Sequence, residues 1–398
     1  MTLPVEVKPN IESKPIRFDE ISKIAERAAQ CMVAVRDQML LPFPRKHAPT
    51  FSVAQLASLC KVDKTKIAYH VSKNPHNLPL GTVTGGNNKR IFSLSEAIQW
   101  IRTFGEYGER PPEAPAFVWS SGNFKGGVTK TTTALTMAQG LSLRGRRGLI
   151  IDLDPQGSMT SLFGLIPDSE VAEEDTVLPL IYGEESSLEY AVQNTYWEGI
   201  DLVPACSALF SSEFVLPTRQ QKDPHFEFWN VLANGIAPLL QKYDFIIFDT
   251  PPSLSYLTSN AFFASNGLVM PLPPSPLDFA SSTQFWTLFA DLAHGISQRS
   301  EAMADKAYEY INVLITLSEQ TNSATITKEW ISSAYGSNVL KIEIPKAEGA
   351  RTAAAVFGTV YDVTSTPASF ARVREAYDAL AEKIDSQMKH SWNKWTKK

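Results

Sequence analysis

At 398 residues, with 43% hydrophobic and 20% charged side chains, the chain has the composition of a globular protein long enough for two or three domains. Its net charge of −5 argues against a uniformly basic nucleic-acid binder, and no apolar run nears the roughly 18 residues of a membrane span or follows a charged leader segment. Cys31, Cys60 and Cys206 are too few and too widely spaced for a disulfide framework or a thiolate metal site, and they fit a reducing cytoplasm.

Charge is unevenly spread. Residues 1–114 hold 16 Lys and Arg against 11 Asp and Glu, and the remainder holds 21 against 31, so a basic appendage precedes an acidic body. Residues 1–45 form the first unit: an arm with three prolines in its first 18 residues, then a helical pattern from Asp19. Ile21, Ile24, Ala28, Cys31 and Val35 recur at three- and four-residue spacing. So narrow a stripe suits dimerisation and packing within its own domain equally.

Residues 46–110 form the second unit. Val53, Leu56, Ala57 and Leu59 line a short helix, Lys61-Val62-Asp63 turns, and Lys64–Lys73 makes a second helix with Ile67 and Val71 inward. This is a helix-turn-helix pattern that offers Lys64, Thr65, Lys66, Tyr69 and His70 outward as DNA contacts. TVTGGNNKRIFSL then predicts a hairpin wing tipped by Lys89 and Arg90, and Ser95–Phe104 closes the unit as a helix. Basic groups so placed suit phosphate contact first and base reading second. The stretch 105–116, rich in Pro and Glu, is the expected linker.

In residues 111–398, short apolar runs alternate with longer amphipathic stretches. The runs are 117–119, 148–152, 200–204, 245–249, 268–272, 311–316 and 339–344. That alternation predicts an α/β domain with a doubly wound, mostly parallel sheet, preceded by the helical and winged units. The first run opens into Gly122–Thr132, where Lys125 and Lys130 bracket Gly126, Gly127, Val128 and Thr129, and Thr131 and Thr132 follow. Glycines let backbone N–H groups turn inward, and the following helix presents its positive end, so this loop is built to cradle phosphate. Lys130 would reach the β- and γ-phosphates of ATP and the Thr131 hydroxyl would ligate Mg²⁺. The strict G-x-x-x-x-G-K-S/T pattern is not met, because Thr129 precedes Lys130.

What fits is K-G-G-x-x-K-S/T-S/T, and this resembles the ParA/MinD family of P-loop ATPases. Two further motifs carry the resemblance. GLIIDLDPQG places Asp152, Asp154 and Gln156 at a strand end, and YDFIIFDTPPS runs four apolar residues into Asp249. In the family the first motif supplies the residue associated with water activation. Carried over, that residue is Asp154, with Asp152 nearer the metal, Gln156 in the nucleotide-sensing switch and Asp249 at the Mg²⁺. The stretch PLPPSPLDF, 271–279, resembles the corresponding strand end of the large plasmid members. The resemblance also implies that Lys125 reaches across a sandwich homodimer to the partner's phosphates, and that Arg351 contributes to non-specific DNA binding. Leu317 stands where many relatives have an asparagine near the adenine, so no adenine contacts carry over.

The last helix, from Phe370, keeps Val373, Tyr377, Leu380, Ile384 and Met388 on one face and ends in HSWNKWTKK. This stripe suits packing on the sheet better than a membrane-binding tail. The resemblance implies a cytoplasmic, nucleoid-associated ATPase of DNA partition that cycles between ATP and ADP. It would be stimulated by a ParB-type centromere-binding protein, and its winged unit would bind operator DNA to repress its own operon. A nucleotide-responsive regulator with no segregation role and a MinD-like membrane ATPase are the alternatives.

Overall fold

The computed structural model describes residues 16–39, 46–85, 89–346, 358–362 and 368–396. It divides into two compact units, residues 1–45 and 46–398. In the first, α1 (Phe18–Met39) runs 22 residues with Asp19 and Glu20 in its first turn, where they complement the helix dipole. Phe18, Ile21 and Ile24 lie exposed along it.

The second unit opens with β1 (Phe51–Ser52), α2 (Val53–Leu59), α3 (Lys64–Lys73), β2 (Thr82–Thr84), β3 (Lys89–Phe92) and α4 (Leu94–Phe104). Capping fixes these helix starts. Ser52 with Gln55, and Ser93 with Glu96, form reciprocal capping boxes, and Asp63 accepts from Lys66 N at 2.7 Å. The strands form a three-stranded antiparallel sheet in the order β1-β3-β2, with β2 and β3 as the expected hairpin. Leu56, Ile67, Phe92 and Trp100 fill its core.

An eight-stranded sheet follows, in the order β11-β10-β9-β4-β8-β5-β7-β6. Its strands are β4 (Phe117–Ser121), β5 (Gly148–Asp152), β6 (Gln193–Asn194), β7 (Ile200–Val203), β8 (Phe245–Asp249), β9 (Gly267–Leu272), β10 (Tyr310–Ser318) and β11 (Val339–Pro345). All pair in parallel except β6, a two-residue antiparallel edge that the sequence pattern did not disclose. Both faces are buried, which is why the strands read as continuous apolar runs. Alternate residues feed two cores: Phe117, Trp119, Ile150, Phe245 and Ile247 on one face, and Val118, Leu149, Ile151, Ile246 and Phe248 on the other.

The first face is covered by α5 (Lys130–Ser142) and α14 (Ala368–Trp392), and its core runs on into the winged unit through Ile98 and Ile101. Nearly all of α5 is buried, and α14 approaches so closely that a Cβ at Gly140 would lie 2.7 Å from that of Ala381. The predicted stripe Val373, Tyr377, Leu380, Ile384 and Met388 is buried here, with Trp392 added. The opposite face carries α7 (Leu178–Tyr182), α8 (Ser212–Lys222), α9 (Val231–Ile236), α10 (Tyr256–Ala264) and α11 (Pro276–Ser297). The remaining helices are α6 (Ser158–Leu162), α12 (Glu301–Ala304) and α13 (Asn322–Tyr335). Among the described residues, no helix is long and apolar enough to cross a membrane.

The stretch between α4 and β4 is strapped to the body. Arg146 pairs with Asp385 at 2.7 Å, with both side chains buried, and donates to the carbonyls of Gly108 and Tyr107 at 2.8 and 2.6 Å. Arg110 pairs with Asp244 at 3.1 Å.

Candidate nucleotide-binding site

Three strands end side by side and place the chemistry. In the ladder Ser121 lies opposite Asp249, and Asp249 opposite Asp152, so the loop after β4 and both aspartates meet at one carboxyl edge. Because β4 has β8 on one side and β9 on the other, this edge opens the crevice in which open parallel sheets bind ligands. The crevice is a cavity of about 500 Å³ lined by Gly126, Gly127, Thr129, Lys130, Thr131, Thr132, Asp154 and Gln156, with Ser158, Ser161, Leu162 and Pro252.

Side chains on both flanks hold the loop. Asn123 donates to Pro271 O at 2.9 Å and accepts from Lys125 N at 3.1 Å, and Thr250 donates to Ser121 O at 2.8 Å. Thr316 donates to Val128 O at 3.2 Å, so Val128, itself buried, contributes its backbone alone. Gly127 has φ +76°, which glycine adopts freely. Thr129 has φ +72°, a conformation that a β-branched residue rarely adopts and where the strict motif has glycine. The backbone therefore takes the left-handed turn despite the substitution.

Lys130 is buried and donates to Lys125 O at 3.0 Å. Burial lowers its pKa, opposed by Asp249 and Asp154. Lys125 does not line the cavity. Its ammonium pairs at 2.8 Å with Asp278, in the first turn of α11, where Ser275 caps the helix and also bonds the Asp278 carboxylate. The sequence signal for this partner was the S-x-x-D cap within PLPPSPLDF, whose functional meaning needs the fold.

The aspartates separate into roles. Asp152 is fully buried, and its oxygens accept from Thr160 N and Oγ1 at 2.9 and 2.7 Å and from Asp154 N at 3.1 Å. Burial raises its pKa to about 7. Three hydrogen bonds thus tie Asp152 to the 154–160 segment, next to Asp249 on the neighbouring strand. Asp249 is also fully buried, but neither carboxylate oxygen has a hydrogen-bond partner. Burial and the neighbouring Asp152 push its pKa well above the usual range; the Thr131 hydroxyl lies near enough to counter part of that shift but not in hydrogen-bonding geometry. An unpartnered buried carboxylate is costly unless something cationic or a donor meets it. Asp249 with the Thr131 hydroxyl thus fits a hydrated Mg²⁺, an ion that prefers oxygen ligands and retains water. Asp154 accepts from Gln156 N at 2.9 Å and lines the cavity, where Gln156 is exposed.

Of the expected DNA contacts, Lys64, Thr65, Lys66, Tyr69 and Lys89 are exposed. Arg90 is instead turned back, donating to the Leu80 and Gly81 carbonyls, so Lys89 stands alone beside the wing tip. His70, expected outward, is buried against Trp100, Phe104 and His76, because α4 supplies an aromatic wall on that side of α3. Arg351 lies outside the described residues.

Residues 118–300 match the family described as "AAA domain". The chain is similar to Protein SopA of Escherichia coli K12, with 29% identity across 88% of this chain and 92% of SopA. Among solved structures, one titled "Partition Protein" superimposes with a TM-score of 0.66 over 93% of this chain and 98% of its own, at 19% identity. Cobyrinic acid a,c-diamide synthase from Mycobacterium smegmatis, solved with ADP and magnesium, matches 68% of this chain and 94% of its own, at 26% identity and a TM-score of 0.52.

Proposed function

We propose, from its likeness to the AAA domain family over residues 118–300, to SopA and to a synthase solved with ADP and magnesium, that the chain is a ParA/MinD-type P-loop ATPase that uses ATP, ADP and Mg²⁺ and drives DNA partition. In this reading ATP closes a homodimer that binds nucleoid DNA without sequence preference. A ParB-type partner on the centromere then stimulates hydrolysis and release. In the ADP or apo form the winged unit binds operator DNA and represses the operon, in a bacterial cytoplasm.

The observation that carries this reading is Lys125. A lysine of the phosphate loop that does not line its own cavity, and is held instead by Asp278 at 2.8 Å, would serve the nucleotide of a second copy once that pair opens. A charge supplied only on dimerisation would couple assembly to hydrolysis. The exposed apolar residues Phe18, Ile21 and Ile24 of α1 would offer a second self-association surface, since most helical stability in proteins comes from packing an apolar face.

Within each subunit the backbone of Gly126–Thr129 and the Lys130 ammonium would bind the β- and γ-phosphates. Thr131 and Asp249 would hold Mg²⁺, which when bound screens phosphate charge. Asp154 would orient water for attack on the γ-phosphorus, and the 152–160 hydrogen bonds fix where Asp154 stands. Lys64, Lys66 and Lys89 would meet operator phosphates, with Thr65 and Tyr69 beside them, and Arg351 would meet nucleoid DNA.

The test is ATP turnover of the wild type and of Lys130→Ala, with and without non-specific duplex DNA and the protein encoded just downstream. Turnover that is weak alone, rises with both additions and vanishes in the variant supports the cycle. Flat turnover, with ADP-promoted binding to the upstream promoter, would replace it by the purely regulatory reading.

A further inference from the structure

Beside the nucleotide cavity lies a second hollow of about 370 Å³ that the chemistry does not use. One wall is Leu153 and Pro155, just after β5, and another is Pro251, Leu254 and Leu257, just after β8. Its outer wall is Leu209 and Phe210, leading into α8. The hollow shares Asp154, Gln156 and Pro252 with the nucleotide cavity, so whatever fills it touches both nucleotide-facing segments at once.

Two large apolar side chains stand out in solvent at this place. Phe210 is 56% exposed and Phe214, one helical turn further on, 75%. Single exposed apolar residues need no explanation, but Phe210 in the wall together with Phe214, next to the wall residue Glu213, makes an apolar pair that marks an interaction surface.

Charge says what kind of partner fits. Between Arg147 and Arg219 the sequence has thirteen Asp and Glu and no Lys, Arg or His. Of these acids Asp154 and Glu213 line the hollow, and Asp168 and Glu173 are bonded to the segments that lead to its outer wall. Asp168 accepts from Ser207 N at 2.8 Å, Glu173 accepts from Tyr182, whose hydroxyl is 3.0 Å from that of Ser211, and Glu213 lines the wall. An apolar slot with an acidic rim is complementary to a basic segment carrying apolar anchors.

We propose that this hollow, with Phe210 and Phe214, docks a basic, apolar-anchored segment of the hydrolysis-stimulating partner, which thereby holds the 153–156 and 251–257 segments together. The inference rests on the partition reading and adds where that partner acts. Glu213 makes the mechanical link concrete. Its carboxylate accepts from Tyr256 N at 3.1 Å, so a segment seated on α8 bears on the start of α10, directly after the 249–253 motif.

The experiment uses the full chain and the protein encoded just downstream. ATP turnover is titrated with that protein for wild type, Phe214→Ser, Phe210→Ser and Glu173→Lys, with sedimentation of the ATP-bound forms alongside. Truncation of a buried aromatic anchor typically weakens an interface about tenfold or more. The serine variants should therefore need at least about tenfold more partner for half-maximal stimulation, with basal turnover and ATP-dependent assembly as in wild type. Glu173→Lys should weaken stimulation most at low salt. Normal stimulation of all three variants would overturn the docking site and leave the partition reading standing. Loss of ATP-dependent assembly in Phe214→Ser would assign this face to a second copy and overturn the proposal. No stimulation of the wild type would overturn both readings.

Discussion

The pairing of Lys125 with Asp278 makes a quantitative claim about the resting state. At 2.8 Å and an effective dielectric near 20, the gross attraction is about 6 kcal/mol. Much of that is lost to solvent, because the Lys125 side chain is 39% exposed although that of Asp278 is only 10% exposed. A charge-assisted hydrogen bond in such a half-exposed setting contributes about 1–2 kcal/mol. If this contact must break before Lys125 can serve a second subunit, it opposes assembly by roughly 5- to 30-fold. Asp278→Asn keeps the shape and the backbone N–H that Ser275 caps, and removes only the charge. It should lower the ATP concentration for half-maximal dimerisation, read by sedimentation or light scattering, by about fivefold or more. Melting temperature should change by only a few degrees. Unchanged or higher ATP demand in Asp278→Asn, together with normal dimerisation of Lys125→Ala, would refute the reasoning.

Three other expectations follow from the same geometry. Thr129→Gly should relieve about 1–2 kcal/mol of left-handed strain against roughly 0.5–1 kcal/mol of added unfolded-state entropy, so chemical denaturation should show equal or slightly greater stability; a loss above about 1 kcal/mol would contradict the strain. Asp385→Ala leaves the Arg146 guanidinium buried without its carboxylate, and should cost about 3–5 kcal/mol in the same assay. Asp152, with a folded pKa raised to about 7 by burial, holds its proton after the unfolded chain has released it. Its contribution to stability is thus full below pH 4 and is lost as pH rises through 7. Asp152→Asn should flatten that part of the stability–pH curve.

How much was legible depended on whether a signal was local. The inner parallel strands were readable because burial on both faces demands apolar runs, and the edge strand β11 because its apolar residues alternate with exposed Lys341 and Glu343, whereas β6 has two residues and no pattern of its own. The phosphate loop was readable because spacing within one strand–loop–helix unit carries its chemistry, and Asp152 and Asp249 because each closes an apolar strand. His70 was misplaced because the inward face of α3 is set by Trp100 and Phe104, thirty residues on, and no periodicity within α3 reports them. Arg90 was misplaced for a similar reason: the carbonyls of Leu80 and Gly81 capture it across the hairpin. Asp152 and Asp249 look alike in sequence, each at the end of an apolar strand. Thr160, eight residues beyond Asp152, and the Asp154 N–H distinguish the satisfied carboxylate from the unpartnered one.

That asymmetry explains how one strand edge can both hold and sense a nucleotide. A carboxylate already bonded to Thr160 and to the Asp154 backbone can fix the position of Asp154 whether or not ligand is present. A buried carboxylate with no partner is the opposite: it destabilises the empty site and is relieved only by a cation or donor brought in from outside. Asp249 is followed by Thr250, which bonds the end of β4, and then by the prolines that wall the hollow beneath α8. Relief at Asp249 is therefore felt first in the segment where a partner would sit, and Asp154 keeps its place on the facing side.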